Sequence, residues 1–531
     1  MNNEGTMKSF MKGAVLLTLA SLLVKLLSAV YRVPFQNMVG DQGFYIYQQV
    51  YPFVGIFSIW TSYGFAVAVS KVMADHEKDH HVAILRTAFG CISAIAVLFF
   101  VLLFFGADLL AGWMGDGKLS GLLKVSAFAV LLMPPLAVLK GYFQSYNRME
   151  PVAYSQVWEQ AVRVMVILVG TWLLVSSGAS LYAVGQMAMF GGVAGGIAGL
   201  LLLLWYFRNS FASLPKSVTI KTWPIIKKIM VISFGVSMSS LLLLLFQLVD
   251  SFTVFRLLTE SGIERIAAME QKGIYDRGQP LVQFGLLIAT SLALAIVPLV
   301  AHMSKKQSGR SADMYAQLAF RTSFLFAFAA AVGLTCVMPY VNETLFQTRE
   351  ESFALIVFSW QIVWMSLLLV MNAMLHGLGK SKVPALLLTG GVLVKIACNW
   401  LLVPLWGVTG AAVAGNVALG FIVVGLFWYF KKVWPLRFAP LRYYGWLFAA
   451  ALAMAIAVFL WALLSDWVLF DGLPSRLAAM FTTLTAVPLG ALVFLVIIAK
   501  SRIITEKEWY IIPFGRKMAA LQLAINSRRK R

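Results

Sequence analysis

The chain has 531 residues, 60% of them hydrophobic and only 12% charged, against a charged share of about 25% in typical soluble proteins. At about 20–25 residues per bilayer crossing, its apolar content is enough for about fourteen helical spans, which excludes an ordinary soluble enzyme, a disordered protein and a single-anchor receptor. The 43 Lys and Arg against 22 acids leave +21; in a soluble chain that excess would point to nucleic acid, but here the question is on which side of a membrane the cations lie.

In chain order, the first apolar run (about 12–35) follows Lys8 and Lys12 as a signal peptide would. It continues past Lys25 to about Phe35 without a small-residue cleavage site, so it reads as a retained span. Thr18, Ser21, Lys25, Ser28 and Arg32 recur along it at steps of three and four, which puts them on one helical face. Serines alone would be explained by interhelical packing. A lysine at mid-span costs about 2.5–3.5 kcal/mol on insertion scales and calls for water, an anion or a ligand, so the seam is expected to face a wet cavity.

Further spans are expected at about 44–71, 82–109, 119–144, 152–176, 181–207, 226–254, 280–304, 314–341, 352–377, 383–404, 409–430, 443–468 and 478–500. Tyr31, Tyr45, Tyr47, Tyr51 and Tyr63 fit either stacking on sugar rings or an interfacial belt. His76, His80 and His81 lie among Asp75, Glu77 and Asp79 and read as a solvated turn. Span 5 carries Gln156, Glu159, Gln160 and Arg163, with Glu159 and Arg163 in the favourable i, i+4 order for an ion pair; that pair serves either helix positioning or substrate handling. Span 7 carries Ser233, Ser237, Ser240, Gln247, Asp250 and Ser251. The segment 255–279 reads as a short amphipathic element outside the membrane. Span 11 carries Lys395 and Asn399, with no acid nearby in sequence. Asp250 and Asn399 together offer oxygens to a cation if the fold joins them; the alternative is Asp250 paired with Arg256. Cys91, Cys336 and Cys398, an odd set inside apolar stretches, make neither a disulfide framework nor a metal site.

Most basic residues fall in alternate loops and at the two ends, and the positive-inside rule then puts both termini in the cytoplasm. Lys25, Arg163 and Lys395 are left within spans, opposed by Glu159. That balance suits an anionic headgroup, with Gln, Ser and Asn available to sugars. Shifting the sequence by 230 lays Gly43-Phe44-Tyr45 on Gly273-Ile274-Tyr275, Gln49 on Gln279 and Gly55 on Gly285. An even number of spans per half makes this a parallel repeat. The expected architecture is an all-α polytopic membrane protein with two six-helix lobes around a central cavity: an N-lobe (1–208), a cytoplasmic linker (209–225), a C-lobe (226–432), two C-terminal spans (433–501) and a basic cytoplasmic tail (502–531). No phosphate-binding loop, His/Cys ligand set or paired carboxylates point to catalysis, a metal or a cofactor.

Two stretches carry a family resemblance: KGAVLLTLASLLVKLLSAVYRVPFQNMVGDQGFYIYQQVYPF (Lys12 to Phe53) and KGYFQSYNRMEPVAYSQVWEQAVR (Lys140 to Arg163). With VDSFTVFRLL (Val249 to Leu258), GQPLVQFGLLIATSLALAIVP (Gly278 to Pro298) and HGLGKSKVPALLLTGGVLVKIACNWLLVP (His376 to Pro404), the chain resembles the polysaccharide-transporter branch of the MOP flippase superfamily. Within that branch it is similar to the stage-V-sporulation-B-like group, relatives of lipid II flippases. The resemblance implies a fourteen-helix bacterial cell-membrane transporter moving undecaprenyl-pyrophosphate-linked sugars from the inner to the outer leaflet by alternating access. It implies a cavity role for the helix-1 cation at Lys25, and Na+ or H+ coupling through Asp250 and Asn399. The expected substrate site is Ser21, Lys25, Ser28, Arg32, Gln156, Glu159, Arg163 and Lys395. The expected partners are a polyprenyl-linked anionic glycolipid and membrane lipid, with no nucleic acid; the sequence assigns no oligomeric state. The alternatives are a cation-coupled multidrug exporter of the related multidrug-extrusion family, a membrane glycosyltransferase or polymerase, and an assembly factor.

Overall fold

Hydrocarbon offers no partner to a backbone N–H or C=O, so a segment crossing it must satisfy its own, as a helix does. The computed structural model of the chain follows that rule: helices and short connections, with no strand among the described residues. The structure describes residues 3–211, 221–287, 289–291, 309–378, 380, 382–434, 438–466, 473–510 and 515–527.

The helices are α1 (Asn3–Val30), α2 (Arg32–Ile59), a π-helical turn (Trp60–Phe65), α3 (Ala66–Ala74), α4 (His81–Phe105), α5 (Ala107–Trp113), α6 (Ser120–Leu131), α7 (Met133–Ser145), α8 (Met149–Ser176), α9 (Leu181–Phe211), α10 (Thr222–Glu260), α11 (Arg265–Asp276) and α12 (Gly278–Gly285). Then come α13 (Gly309–Phe346), α14 (Ser352–Ser359), α15 (Gln361–Gly377), α16 (Lys382–Val433), α17 (Leu441–Leu464), α18 (Ser475–Ser501), α19 (Glu506–Trp509) and α20 (Gly515–Ser527).

Among the described residues, 11 segments are long and apolar enough to cross a membrane. Two of them are double length: Val15–Ala74 has 60 residues and Val383–Val433 has 51, against about 20 per crossing. Each contains a backbone break, at Gly40 (φ 67°) in the first and at Trp406–Gly407 (Gly407 φ 57°) in the second. The eighth expected span, 280–304, lies largely outside the described residues, as do most of the linker and the last four residues of the tail. The fourteen-span reading is consistent with this arrangement. In the segment 255–279, α10 runs on to Glu260, and α11 buries Ala268 and Met269 and then, on all sides, its last turn from Lys272 to Asp276.

The chain divides into two compact units, residues 1–276 with 399–404, and residues 277–398 with 405–531. In the first, α8 and α9 pack along a stripe of small residues, Gly191, Gly195 and Gly199. A Cβ at Gly195 would stand 2.5 Å from the Glu159 carbonyl oxygen, and Ser155 Oγ donates to the Gly199 carbonyl at 3.3 Å. Small residues four apart let two backbones touch in a membrane helix pair, and here they fix the face of α8 that bears Glu159 and Arg163. The π-helical turn sits against α10, where a Cβ at Gly64 would lie 2.4 Å from Ser237 Oγ.

In the second unit, α13 packs on α15, α17 and α18. Arg321 bonds the Ile503 carbonyl at 3.2 Å and pairs with Glu508, and Thr505 and Glu508 cap α19 reciprocally. Trp509 is buried, so the segment expected as a basic tail begins as a packed helical element.

Candidate functional site

On α1 the side chains of Ser21 and Ser28 are half-exposed and Lys25 is exposed. Ser21 Oγ accepts from the Tyr63 hydroxyl at 3.2 Å, which turns the seam toward the π-helical turn. Two residues back from Thr18, Ser21 and Lys25, and so about half a turn round the helix, Leu16, Leu19 and Leu23 line an apolar groove with Tyr154 and Trp158 of α8 and Tyr206 of α9; its volume is about 630 Å³. The two faces of α1 therefore differ: hydrocarbon suits the groove, while the seam carries a cation for which no acid among the described residues is a partner.

Where α1 meets α2, two guanidiniums share one ring. Arg32, wholly buried, lies 4.6 Å from the centre of Tyr51, and Arg163 lies 5.6 Å from the same centre. Arg163 Nη2 donates to the Tyr47 hydroxyl at 3.5 Å, and Tyr47 and Tyr31 join their hydroxyls at 2.6 Å. Phe35 closes the cluster, its ring 5.0 Å from that of Tyr47. Each cation–π contact contributes about 0.5–2 kcal/mol, but rings accept no strong hydrogen bond. Nε, Nη1 and Nη2 of Arg32, and Nε of Arg163, are buried without an acceptor.

The i, i+4 pair expected between Glu159 and Arg163 does not form. Glu159 Oε2 instead accepts from Lys140 Nζ of α7 at 3.1 Å, and Lys140 also donates to Ser62 Oγ at 3.0 Å. Lys140 is wholly buried; its sequence signal was its place inside the apolar run 119–144, where a cytoplasmic cation does not belong. With Glu159 neutralised by Lys140, the two guanidiniums are left in excess. Gln156, Glu159, Gln160 and Arg163, with Thr61 and Ser62, form the polar part of a small pocket of about 90 Å³ whose remaining wall is apolar, Phe57, Leu132 and Leu136 among it.

Asp250 and Asn399, 149 residues apart, do meet: Asn399 Nδ2 donates to Asp250 Oδ1 and to Thr253 Oγ1, both at 2.8 Å. Tyr275 donates to Asp250 Oδ2 at 2.8 Å. Asp250 is thus not the partner of Arg256, which bonds Glu260 at 2.8 Å. Asn399 Oδ1 is buried and unbonded.

In the second unit, Lys395 is 1% exposed and donates to the Ala411 carbonyl at 2.8 Å. It is anchored by backbone across the Trp406–Gly407 break rather than open to solvent. Arg277, which sequence reasoning passed over as a loop cation, is buried with Nη1 on Asn342 Oδ1 at 2.6 Å. Asp75, outside the spans, is bonded by Lys228 near the start of α10 at 2.7 Å, and that ammonium holds the Asp75 carboxyl below its ordinary range. No group of three or more metal-ligating side chains occurs among the described residues.

These features define a multi-pass helical membrane protein with the fold of MOP-superfamily transporters. The fold is shared with a lipid II flippase MurJ structure in an inward closed conformation, at TM-score 0.69 and 16% identity, covering 91% of this chain and 98% of that one. An inward-facing multidrug resistance MATE family transporter matches at TM-score 0.61 and 14% identity, covering 78% and 94%. More specifically, the chain belongs to the polysaccharide biosynthesis protein family, whose model matches residues 10–304. Among relatives from Bacillus subtilis (strain 168), it is 38% identical to uncharacterized membrane protein YabM, over 96% of both chains. It is 26% identical to lipid II flippase MurJ, over 78% of this chain and 80% of that one. It is 25% identical to stage V sporulation protein B, over 79% and 82%.

Proposed function

We propose that the protein is a flippase, resident in a bacterial cell membrane with both termini cytoplasmic, that carries polyprenyl-diphosphate-linked oligosaccharide from the inner to the outer leaflet by alternating access. The observation that carries the reading is the Arg32–Arg163 pair on Tyr51, with its buried, unspent N–H groups. A guanidinium presents donors only, in a fork that matches phosphate oxygens, and burial strengthens what it offers an anion. Lys25 of the α1 seam supplies a further cation on the approach. The named activity of the relative lipid II flippase supports the same substrate class. No catalytic step belongs to this reading. Asp250, with Asn399 and Tyr275, is the group through which Na+ or H+ would bias the cycle.

The multidrug-exporter alternative needs an acidic cavity, and the structural features favour it less: Glu159 is taken by Lys140, and Asp250 accepts from Asn399 and Tyr275. The test is leaflet-to-leaflet movement of undecaprenyl-diphosphate sugars in proteoliposomes. Transport is expected from the native chain and lost in both Arg32→Ala and Lys25→Ala. Undiminished transport by the two variants would refute the anion-site reading; ethidium export dependent on Asp250 would install the rival.

A further inference from the structure

The polar pocket beside the guanidiniums has a donor and acceptor pattern of its own. It lies wholly within the first unit, between the π-helical turn and α8. Gln156 and Gln160 are 8% and 6% exposed, yet Gln156 Oε1 and Gln160 Nε2 have no hydrogen-bond partner. Leaving such buried groups without a partner is costly, so the site calls for a ligand or water. Arg163 Nε points to the same need. Lys140 occupies only Oε2 of Glu159, whose side chain is 23% exposed, and Oε1 remains to accept. Ser62 Oγ accepts a hydrogen bond from Lys140 and keeps its own hydroxyl hydrogen to give. Thr61 Oγ1 donates to the Phe57 carbonyl at 2.7 Å and keeps its lone pairs.

This inventory discriminates among ligand classes. An anion wants donors alone and has no use for the acceptor oxygens of Glu159 and Gln156. A metal ion wants oxygens alone and would be repelled by Arg163 and Lys140. A hydroxyl group both gives and accepts, and the pocket alternates the two. Its volume, about 90 Å³, holds about three water-sized groups at ~30 Å³ each. That is room for the hydroxyl edge of one pyranose ring, not for a whole disaccharide.

We propose that this pocket is a sugar subsite, in which Gln156, Gln160, Glu159 and Arg163 bind the edge of the first neutral sugar while the diphosphate lies on the guanidiniums. The proposal rests on the flippase reading and deepens it. Arg163 belongs to both clusters, through Nη2 on the Tyr47 hydroxyl and through its place in the pocket lining, so the sugar that fits is the one bonded directly to the diphosphate. Lys140 is a positioning residue, holding the Glu159 carboxylate toward the ligand. The subsite makes the carrier selective for the glycan as well as for its charge.

The test is binding by the full chain in nanodiscs of two probes, undecaprenyl diphosphate without sugar and undecaprenyl diphosphate bearing one N-acetylglucosamine. The native protein is expected to prefer the glycosylated lipid at least tenfold. Gln156→Ala/Gln160→Ala should erase that preference while binding the bare diphosphate as before. Gln156→Met/Gln160→Met, which keeps side-chain volume and helix propensity, should do the same and guards against a folding defect. Equal binding of both lipids by the native chain would overturn the subsite and leave the flippase reading standing, as would a preference that survives in the methionine variant; the pocket then holds water only. Binding of neither lipid would overturn both.

Discussion

Lys140 Nζ stands 3.1 Å from Glu159 Oε2, joining α7 to α8, and this pair determines what Arg163 is free to do. Without Lys140, Glu159 would neutralise the arginine one turn along its own helix. With it, the guanidinium turns to Tyr47 and Tyr51 and remains a positive group in a place where positive groups are costly.

Removing one member of that pair should expose its worth. Breaking a buried ion pair costs about 3–5 kcal/mol, and the partial exposure of Glu159 reduces this to about 2–3 kcal/mol for Lys140→Met. The double variant Lys140→Met/Glu159→Gln should regain at least half of the loss. Thermal unfolding in nanodiscs reads both; a double variant no better than the single would mean the lysine acts through packing instead.

Arg32 should behave in the opposite way. A buried cation with three unsatisfied nitrogens burdens the resting fold, so Arg32→Met is expected to raise the melting temperature while substrate binding falls about 100-fold, a trade common at functional sites. A loss of both stability and binding would recast Arg32 as structural.

The α8–α9 contact predicts a steric asymmetry among glycines. Gly195→Val forces a side chain onto the Glu159 carbonyl and should cost about 1–3 kcal/mol, or prevent insertion. Gly90→Ala, with nothing within 4 Å of its new Cβ, should be neutral or add up to about 1 kcal/mol through helix propensity. Equal effects at the two sites, measured as folded protein by size exclusion, would contradict the packing account.

The Lys228–Asp75 pair carries a pH signature. Its carboxyl is held down by the ammonium, so the pair's contribution is complete above the ordinary carboxylate value near ~4 and is lost as pH falls through the lowered folded value. The stability difference between the native chain and Asp75→Asn should therefore be flat from pH 5 to 8 and shrink only in stronger acid. High salt should narrow it, since both partners are largely exposed. A difference that changes between pH 5 and 8 would contradict this account.

Asp250 offers the test of coupling. If an ion biases the cycle there, Asp250→Asn should leave substrate binding intact and remove the dependence of transport on a Na+ or pH gradient. Unchanged gradient dependence in proteoliposomes would place coupling elsewhere.

Which of these features the sequence disclosed follows from their range. The seam Ser21–Lys25–Ser28–Arg32 is a periodicity on one stretch of helix, and spacing alone reveals it. Spans are legible because hydrocarbon demands them. The break at Gly40 and the small-residue stripe of α9 leave only a faint local trace. Partners are another matter. Lys140 is 19 residues from Glu159 and on another helix, while the i, i+4 rule looks only along one. Asp250 and Asn399 can be paired from the sequence only by assuming a fold that joins them, since no local pattern links positions so far apart. The wide turn at Trp60–Phe65 has no composition that marks it.

That turn has a consequence for comparing chains. A π-helical turn closes its bonds from i to i+5 and so accommodates one residue more than the α-helix it interrupts. Deleting a single residue from Trp60–Phe65 would restore ordinary α-helical pitch and leave the flanking segments in nearly their present phase, so the change would fall on the turn's own contacts, that of Ser62 with Lys140 among them. An indel of length one at this spot would therefore be absorbed where the same change in a regular turn would not be, and in an alignment of related chains this is where a gap of one residue is expected.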